Sequence, residues 1–370
     1  MQANAARNDY RDVTFPPVKR AGQTIGRLIL IGSTLALAVV VAIQLLYSFD
    51  VTSTGFSSWR PVLFVYVGWA VVLCVGLVLV KGERGHRAVF VLPAVLFTFS
   101  MVIFPTVFGI YVAFTNWNLS NFSGREFSGL DNLRHLFNDS YFWNAMKNMA
   151  FYVLTVIPQY AIAFGLALLL NADIRARKLF RTAFLLPFML SPVAVGWMIG
   201  KSILDPRFGP ASMLARKLGW DSPAFFADPW IARVSITALD AWVWIPFMMV
   251  LLLAGLQALP GEVLESAKVD GADGWEAFRH MIFPLMLPVS VTAVVLRTIF
   301  ELKLADVVIT VTSGAPGGAT DSVTSYIVRE YQTRSSVGYG TAMAQFYLIA
   351  IIIFMTIFLA GVSRWLRRVA

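Results

Sequence analysis

Charged side chains and cysteines are scarce in this chain of 370 residues. Asp, Glu, Lys and Arg make up 14% of it, against roughly 25% in soluble domains, which excludes an ordinary water-exposed surface. The single cysteine, Cys74, stands in an apolar run and excludes an internal disulfide. The three histidines, His86, His135 and His280, lack the spacing of metal ligands, and no nucleophile stands beside a base. The sequence therefore predicts neither a metal site nor catalysis by this chain.

Apolar residues are abundant instead, at 58% of the chain, and they fall in long runs. A run of about 20 apolar residues, rising about 1.5 Å each, crosses the ~30 Å hydrocarbon core of a bilayer. The first run follows a basic tail and is too long for a cleaved signal peptide. Prolines inside several runs predict kinks rather than chain ends. We predict an all-α integral membrane protein with eight spans, at 28–47, 62–80, 88–114, 149–170, 180–202, 236–257, 285–302 and 343–362.

The positions of the lysines and arginines predict the orientation of the spans. The short connections at 81–87 and 171–181 are basic, and so are both ends of the chain. Because positive loops stay in the cytoplasm, both termini are expected there. Cations spread in this way do not form a nucleic-acid-binding face. We divide the chain into a cytoplasmic tail at 1–27, a two-helix hairpin at 28–87 and a core at 88–365, whose loop at 258–284 is cytoplasmic.

The loop at 258–284 has the pattern of two short helices separated by a turn. Pro260 opens the first helix, and two glutamates stand in its first turn, where the helix dipole favours acids. Gly271 ends this helix, since glycine readily takes a positive φ. A second amphipathic stretch, 275–282, leads back into the membrane. Such an element cannot bury its apolar side alone, so we predict a docking surface for a cytoplasmic partner.

The same loop resembles the EAA loop of permease subunits in ATP-binding-cassette (ABC) importers. The family pattern is Glu-Ala-Ala-x2-Asp-Gly-Ala-x5-Phe-x2-Ile-x2-Pro, and this chain departs from it only at Ser266 and Met281. The resemblance implies that the loop docks on a cytoplasmic ATPase dimer, which binds ATP and Mg, while this chain holds no cofactor. The residues implied to couple the two subunits are Glu265, Ala267, Asp270, Gly271, Ala272 and Phe278.

Further segments within 88–365 resemble maltose-type and glycerol-phosphate-type sugar permeases. These segments are 111–117, 129–133, 180–182, 186–187, 205–206, 254–260 and 338–342. The resemblance implies the type I ABC importer permease fold, with a six-helix core and two additional N-terminal helices, in the bacterial cytoplasmic (inner) membrane. It also implies partners beyond the ATPase: a second, non-identical permease subunit and a periplasmic solute-binding protein that delivers a sugar or glycoside.

Charged residues inside a span are costly in lipid and point to a functional site. Arg297 and Glu301 stand four residues apart in the seventh predicted span, hence on one helix face. Two hypotheses stay open for Arg297: it pairs with Glu301, or it binds the anionic group of an acidic sugar. Asp240 and Trp242, in the sixth predicted span, leave two roles open, the outer rim of the site and a structural role, of which the structural role is expected. The resemblance implies a sugar site at Val243, Trp244, Phe247, Arg297, Phe300, Glu301 and Leu304, and aromatic rings beside polar groups suit a sugar.

Two other classes of protein compete with this interpretation. An ion-coupled secondary transporter of a small polar solute would show inverted repeats and would need no docking loop. A membrane enzyme would show clustered His, Asp or Cys near one face of the membrane. The segment Gly196-x3-Gly200-Lys201-Ser202 is one residue short of a phosphate-binding loop and lies in an apolar run. We therefore predict that its glycines serve close helix packing.

Overall fold

The computed structural model describes residues 20–48, 51–120, 125–172, 175–261 and 271–369. Within these ranges, seven helices are long and apolar enough to cross a membrane, and the number is eight if a bent pair of helices is counted as one span, as we do here. The predicted all-helical fold with about eight spans is confirmed. In chain order, with the bent pair as the fifth, the spans are Arg20–Ser48, Arg60–Lys81, Glu83–Ala113, Ser140–Asn171, Arg177–Met189 with Pro192–Ile203, Pro229–Gln257, Gly274–Glu301 and Val337–Arg367.

Several spans are longer than their apolar runs because polar residues cap them beyond the run. The fourth span begins at Ser140 rather than near 149, after Asp139 accepts hydrogen bonds from two backbone N–H groups of the first turn. The sixth begins at Pro229, where Asp228 does the same. Capping oxygens satisfy N–H groups that have no partner inside a helix. The apolar pattern thus locates the membrane-crossing part, and the caps determine where each helix begins.

The chain divides into two compact units, Met1–Phe108 and Gly109–Ala370, with the division inside the third span. In the first unit, the first and second spans pack at glycines. A Cβ added to Gly76 would lie 2.5 Å from Leu30, so no larger residue fits there without a shift. The Gln44 side chain also accepts a hydrogen bond from the backbone N–H of Phe56 at 3.1 Å. The predicted domain boundaries at 27/28 and 87/88 stay predictions.

In the second unit, the fourth, sixth and seventh spans pack around one hydrophobic cluster. Gly255 lets the sixth and seventh spans approach, because a Cβ there would lie 2.9 Å from Met286 and Val289. The buried members of this cluster are Ala163, Phe164, Ala167, Leu170, Met248, Met249, Leu252, Leu253, Leu256, Met286 and Ala293. Dense packing of this kind fixes the rotation of each span about its axis, which decides where its few polar side chains point.

The fifth span is broken by a bend of 96° between its two helices. A short 3-10 turn, Pro187–Met189, precedes the break, and Leu190 and Ser191 are extended, with ψ of 144° and 136°. Pro192 follows them. A proline disfavours the helical conformation in the residue before it and offers no N–H to the preceding turn. The kink predicted from the prolines is therefore a full change of direction.

Short helices lie in the long connections of the second unit, at Asp131–Asn138, Pro210–Lys217, Asp306–Val311 and Val323–Gln332. The helix Asp306–Val311 packs on the fifth span at two glycines. A Cβ on Gly196 would lie 2.9 Å from Thr310, and one on Gly200 would lie 2.5 Å from Val311. The predicted use of these glycines for close packing is confirmed.

Candidate functional site

Arg297 occupies the centre of a buried polar cluster in the second unit. Its side chain is 0% exposed. The guanidinium forms ion pairs with the carboxylates of Asp240 and Glu301, and its Nε donates a hydrogen bond to Oε1 of Gln159 at 2.9 Å. The fourth span contributes Gln159, the sixth Asp240, and the seventh the other two residues. One cation therefore ties three spans together.

The structure shows the pairing of Arg297 with Glu301 that was one of the two hypotheses, and it adds Asp240 as a second carboxylate. Within the described ranges, Nη1 of Arg297 and Oε1 of Glu301 have no hydrogen-bond partner, whereas Oε2 of Glu301 lies in the ion pair with Arg297. Buried polar atoms without a partner are costly, so this cluster retains the capacity to bind a further polar group.

Four aromatic rings stand beside the polar cluster. The indole of Trp244 lies 5.4 Å from the guanidinium carbon of Arg297 and stacks on Phe300 with ring centroids 4.4 Å apart. Phe247 packs edge-to-face on both rings, at 5.9 and 5.8 Å. Phe188, from the turn at the break in the fifth span, stacks on Phe247 at 5.5 Å and meets Trp244 edge-on at 5.7 Å. The charged cluster and the aromatic cluster thus meet at Trp244.

Five of the seven predicted substrate residues gather in these two clusters, and the remaining two are buried in packing. Val243 is 3% exposed on the sixth span. Leu304 is 6% exposed and lies in a separate hydrophobic cluster with Leu302 and Val307. The carbonyl of Leu304 accepts a hydrogen bond from the hydroxyl of Ser322. The structure therefore does not bring Leu304 together with the aromatic rings, and a substrate role for these two residues stays a prediction.

An open cavity of about 560 Å³ lies along a different stripe of the sixth span. Its wall includes Trp220, Trp230 and Trp242 and one polar side chain, Ser235, but none of the predicted substrate residues. Ligand sites for polar molecules need several convergent polar groups. We assign the candidate substrate site to the Arg297 clusters because the polar chemistry is there and not in this cavity.

The loop at 258–284, predicted to be cytoplasmic and to dock on a partner, is described at 258–261 and from Gly271 onward. Glu265, Ala267 and Asp270 lie outside the described residues. Gly271 is exposed and has φ of +78°, the conformation that the turn prediction requires, and Ala272 beside it is half-buried. The proposed coupling role of these residues stays a prediction.

The seventh span begins directly after this turn and is anchored at its start. Asp273 accepts a hydrogen bond from the N–H of Glu276 at 2.7 Å, and the two residues form a reciprocal capping box. Phe278, one turn further, packs edge-to-face on Phe164 of the fourth span with centroids 5.5 Å apart. Trp275 also stacks on Phe278, with ring centroids 5.5 Å apart, and is 65% exposed. The loop thus ends on a fixed helix start that presents an exposed aromatic ring.

The carboxylate of Asp139 fixes the start of the fourth span. Oδ2 of Asp139 accepts hydrogen bonds from the hydroxyls of Tyr326 and Tyr339, at 2.7 and 2.6 Å. Burial raises the pKa of Asp139, but these two hydroxyls and two backbone N–H groups together lower it further, so its pKa lies below the ordinary aspartate value. The ionised carboxylate therefore connects the helix Val323–Gln332 and the eighth span to the fourth.

Sequence reasoning missed two residues of the candidate site, Gln159 and Phe188. A lone amide inside an apolar run was the available signal for Gln159. Phe188 carried no signal, because its place depends on the break in the fifth span. The described residues contain no group of three or more His, Cys, Asp and Glu side chains that could hold a metal ion.

A bundle of membrane-spanning helices around a buried charged cluster defines the class of multi-pass membrane proteins. The comparison with known families makes this specific. Residues 148–368 match the family described as "Binding-protein-dependent transport system inner membrane component", and the chain belongs to this family.

Curated relatives are named as permease proteins. A probable ABC transporter permease protein, PH1215 of Pyrococcus horikoshii, is 31% identical, with 70% of this chain and 89% of the relative covered. The probable starch degradation products transport system permease protein AmyD of Thermoanaerobacterium thermosulfurigenes is 31% identical over 73% of this chain and 92% of the relative. The trehalose/maltose transport system permease protein MalF of Thermococcus litoralis is 28% identical over 73% and 90%.

A solved structure shares the fold. One chain of a bacterial ABC transporter involved in the import of the acidic polysaccharide alginate has a TM-score of 0.64 and 22% identity, and the match covers 76% of this chain and 95% of that one. The expected ABC importer permease is confirmed by the family and the relatives, which support it over the ion-coupled secondary transporter.

Proposed function

We propose that this permease carries an uncharged sugar or glycoside across the membrane. The observation that carries the proposal is the meeting of the buried Arg297 cluster with the rings of Trp244, Phe247 and Phe300. Apolar faces of a sugar ring pack on aromatic rings, and its hydroxyls suit polar atoms that lack partners. The names of two relatives, which refer to starch degradation products and to trehalose and maltose, support the same substrate class.

The charge balance of the cluster favours an uncharged sugar over an acidic one. Arg297 already faces the carboxylates of Asp240 and Glu301. With one carboxylate ionised the cluster is neutral, and with both ionised it carries one negative charge. Neither state offers the positive charge that would offset the desolvation of an anionic sugar. A donor for a sugar hydroxyl remains, however, at Nη1 of Arg297, and an acceptor remains at Oε1 of Glu301.

In the proposed transporter complex, several chains have separate roles. A periplasmic binding protein delivers the sugar, a second and non-identical permease subunit completes the pathway, and a cytoplasmic ATPase dimer with ATP and Mg docks on the loop at 258–284. This chain lies in the inner membrane with both termini in the cytoplasm and binds no cofactor itself. ATP-driven closure of the dimer moves the loop, and rocking of the spans switches access to the sugar between the two sides.

Uptake by the complete complex in proteoliposomes, with its binding protein and ATP inside, tests the proposal. The probes are maltose and trehalose as uncharged sugars and a glucuronate-containing disaccharide as an acidic one. We expect ATP-dependent uptake of an uncharged probe and none of the acidic probe. Uptake of the acidic disaccharide alone would overturn the charge argument. Uptake of none of a wider sugar panel would overturn the sugar assignment.

A further inference from the structure

Phe188 differs from the other rings of the aromatic cluster in where the chain holds it. Trp244, Phe247 and Phe300 lie on long spans and are half-buried. Phe188 stands in the three-residue turn Pro187–Met189, at the break of the fifth span, and is 40% exposed. Phe188 is therefore the most exposed ring of the aromatic cluster, and it lies on the shortest of the elements that form it.

The rings of the cluster cover one another. Trp244 and Phe300 stack face to face at 4.4 Å, which leaves no room for a sugar between them. A sugar that reaches the aromatic faces must replace a contact between rings. The contacts of Phe188 with Phe247 and Trp244, at 5.5 and 5.7 Å, join two separate elements, so a change at the break of the fifth span can open them.

We propose that Phe188 is a specificity-determining residue of this permease: the sugar enters between Phe188 and the pair Trp244 and Phe247, and stacks against the ring of Phe188. This inference rests on the proposed sugar transport and adds a third element, the broken fifth span, to a site that the sequence had assigned to the sixth and seventh spans. A ring carried at a bend can follow the bend as the spans rock, which suits a contact that must form and release in every cycle.

Protection of a cysteine introduced at this position tests the contact directly. Phe188→Cys is made in a Cys74→Ser background and assembled into the complete complex with binding protein. The probe is maltose or trehalose, whichever the wild-type complex takes up. We expect a maleimide to label the Phe188→Cys variant, and saturating sugar with binding protein and ATP to slow labelling at least threefold. Met189→Cys is the matched control, because Met189 is the next residue of the same turn and is 78% exposed. Its labelling should be unaffected by sugar.

Two further variants separate a sugar contact from a structural role. Because the binding protein captures the sugar first, Phe188→Ala should lower the turnover of uptake about two- to tenfold with little change in KM. Phe188→Tyr keeps the ring and should restore turnover, with uptake normalised to complex in the membrane. Equal labelling with and without sugar, no labelling at all, or an inactive Phe188→Tyr variant would each overturn the assignment. If the wild-type complex takes up no sugar, the proposed function fails first, and it fails independently of Phe188.

Discussion

Removal of the Arg297 charge is the perturbation for which the structure gives the sharpest expectation. Arg297→Gln leaves Asp240 and Glu301 without a cation in a site where the three side chains are at most 6% exposed. Loss of one partner from a buried ion pair costs about 3–5 kcal/mol, because the remaining charge has neither water nor a counterion. Two carboxylates are left here, so we place Arg297→Gln at the upper end of that range.

Asp240→Asn is the matched control, since it removes one carboxylate and leaves Arg297 paired with Glu301. The expected cost is about 1.5–3 kcal/mol, of the order of one hydrogen bond to a charged group. The double variant Arg297→Gln with Asp240→Asn should be more stable than the sum of the two single effects indicates, because it removes one of the two unpaired acids. Contacting residues of one network couple by about 0.5–3 kcal/mol in such cycles.

The assay is thermal unfolding of the purified complex in detergent, followed by tryptophan fluorescence at one scan rate. Unfolding of such a complex is irreversible in general, so the order of the midpoints is the quantity compared. We expect wild type to be most stable, then Asp240→Asn, then the double variant, then Arg297→Gln. If Asp240→Asn were as harmful as Arg297→Gln, or if the two effects were simply additive, the charge balance derived for this cluster would be wrong.

Three further predictions concern other parts of the chain. Asp139 has a folded-state pKa below its unfolded value, so its stabilisation is present above the unfolded pKa and is lost as pH falls through the folded pKa. When the unfolding midpoint is measured at decreasing pH, it should fall less for Asp139→Asn than for the wild type. A pH profile of Asp139→Asn identical to that of the wild type would refute this. Gly338→Ala should prevent assembly because its Cβ would lie 2.0 Å from the Thr115 carbonyl oxygen, whereas Gly340→Ala, with nothing closer than 3.9 Å, should assemble normally on gel filtration. Gly271→Ala should uncouple ATPase activity from sugar uptake by straining a residue at φ of +78°, by about 1 kcal/mol; Gly274→Ala, which lies inside a helix, should keep the two activities coupled.

The sequence predicted those parts of the fold that depend on local pattern. Span number followed from the lengths of the apolar runs. The spacing of Arg297 and Glu301, four residues apart on one helix, predicted a shared helix face and left their pairing as one of two hypotheses. The turn at Gly271 followed from the conformational freedom of glycine. Each of these depends only on neighbouring residues, so the chain pattern carries enough information to predict it.

The remaining features of the site depend on how separate helices are rotated and bent. Gln159 lies 138 residues from Arg297 in the chain, and Asp240 lies 57 residues from it. These residues meet because the fourth, sixth and seventh spans pack together. The periodicity of a single helix does not predict how separate helices pack. Phe188 reaches the aromatic cluster only because the fifth span turns by 96°. Prolines predict that a helix is interrupted, but the direction after the break is fixed by tertiary contacts.

The seventh span connects the two ends of the proposed mechanism. It begins at the capping box of Asp273, beside the loop proposed to dock on the ATPase, and it carries Arg297 and Glu301 near its other end. At about 1.5 Å per residue, its 28 residues extend about 42 Å. A movement imposed near Phe278 therefore reaches Arg297 through one helix. Arg297 is hydrogen-bonded to Gln159 and ion-paired with Asp240, so either the fourth and sixth spans move with the seventh or these contacts break. A buried cluster with two discrete arrangements can serve as such a switch, since the packed spans around it are not continuously deformable.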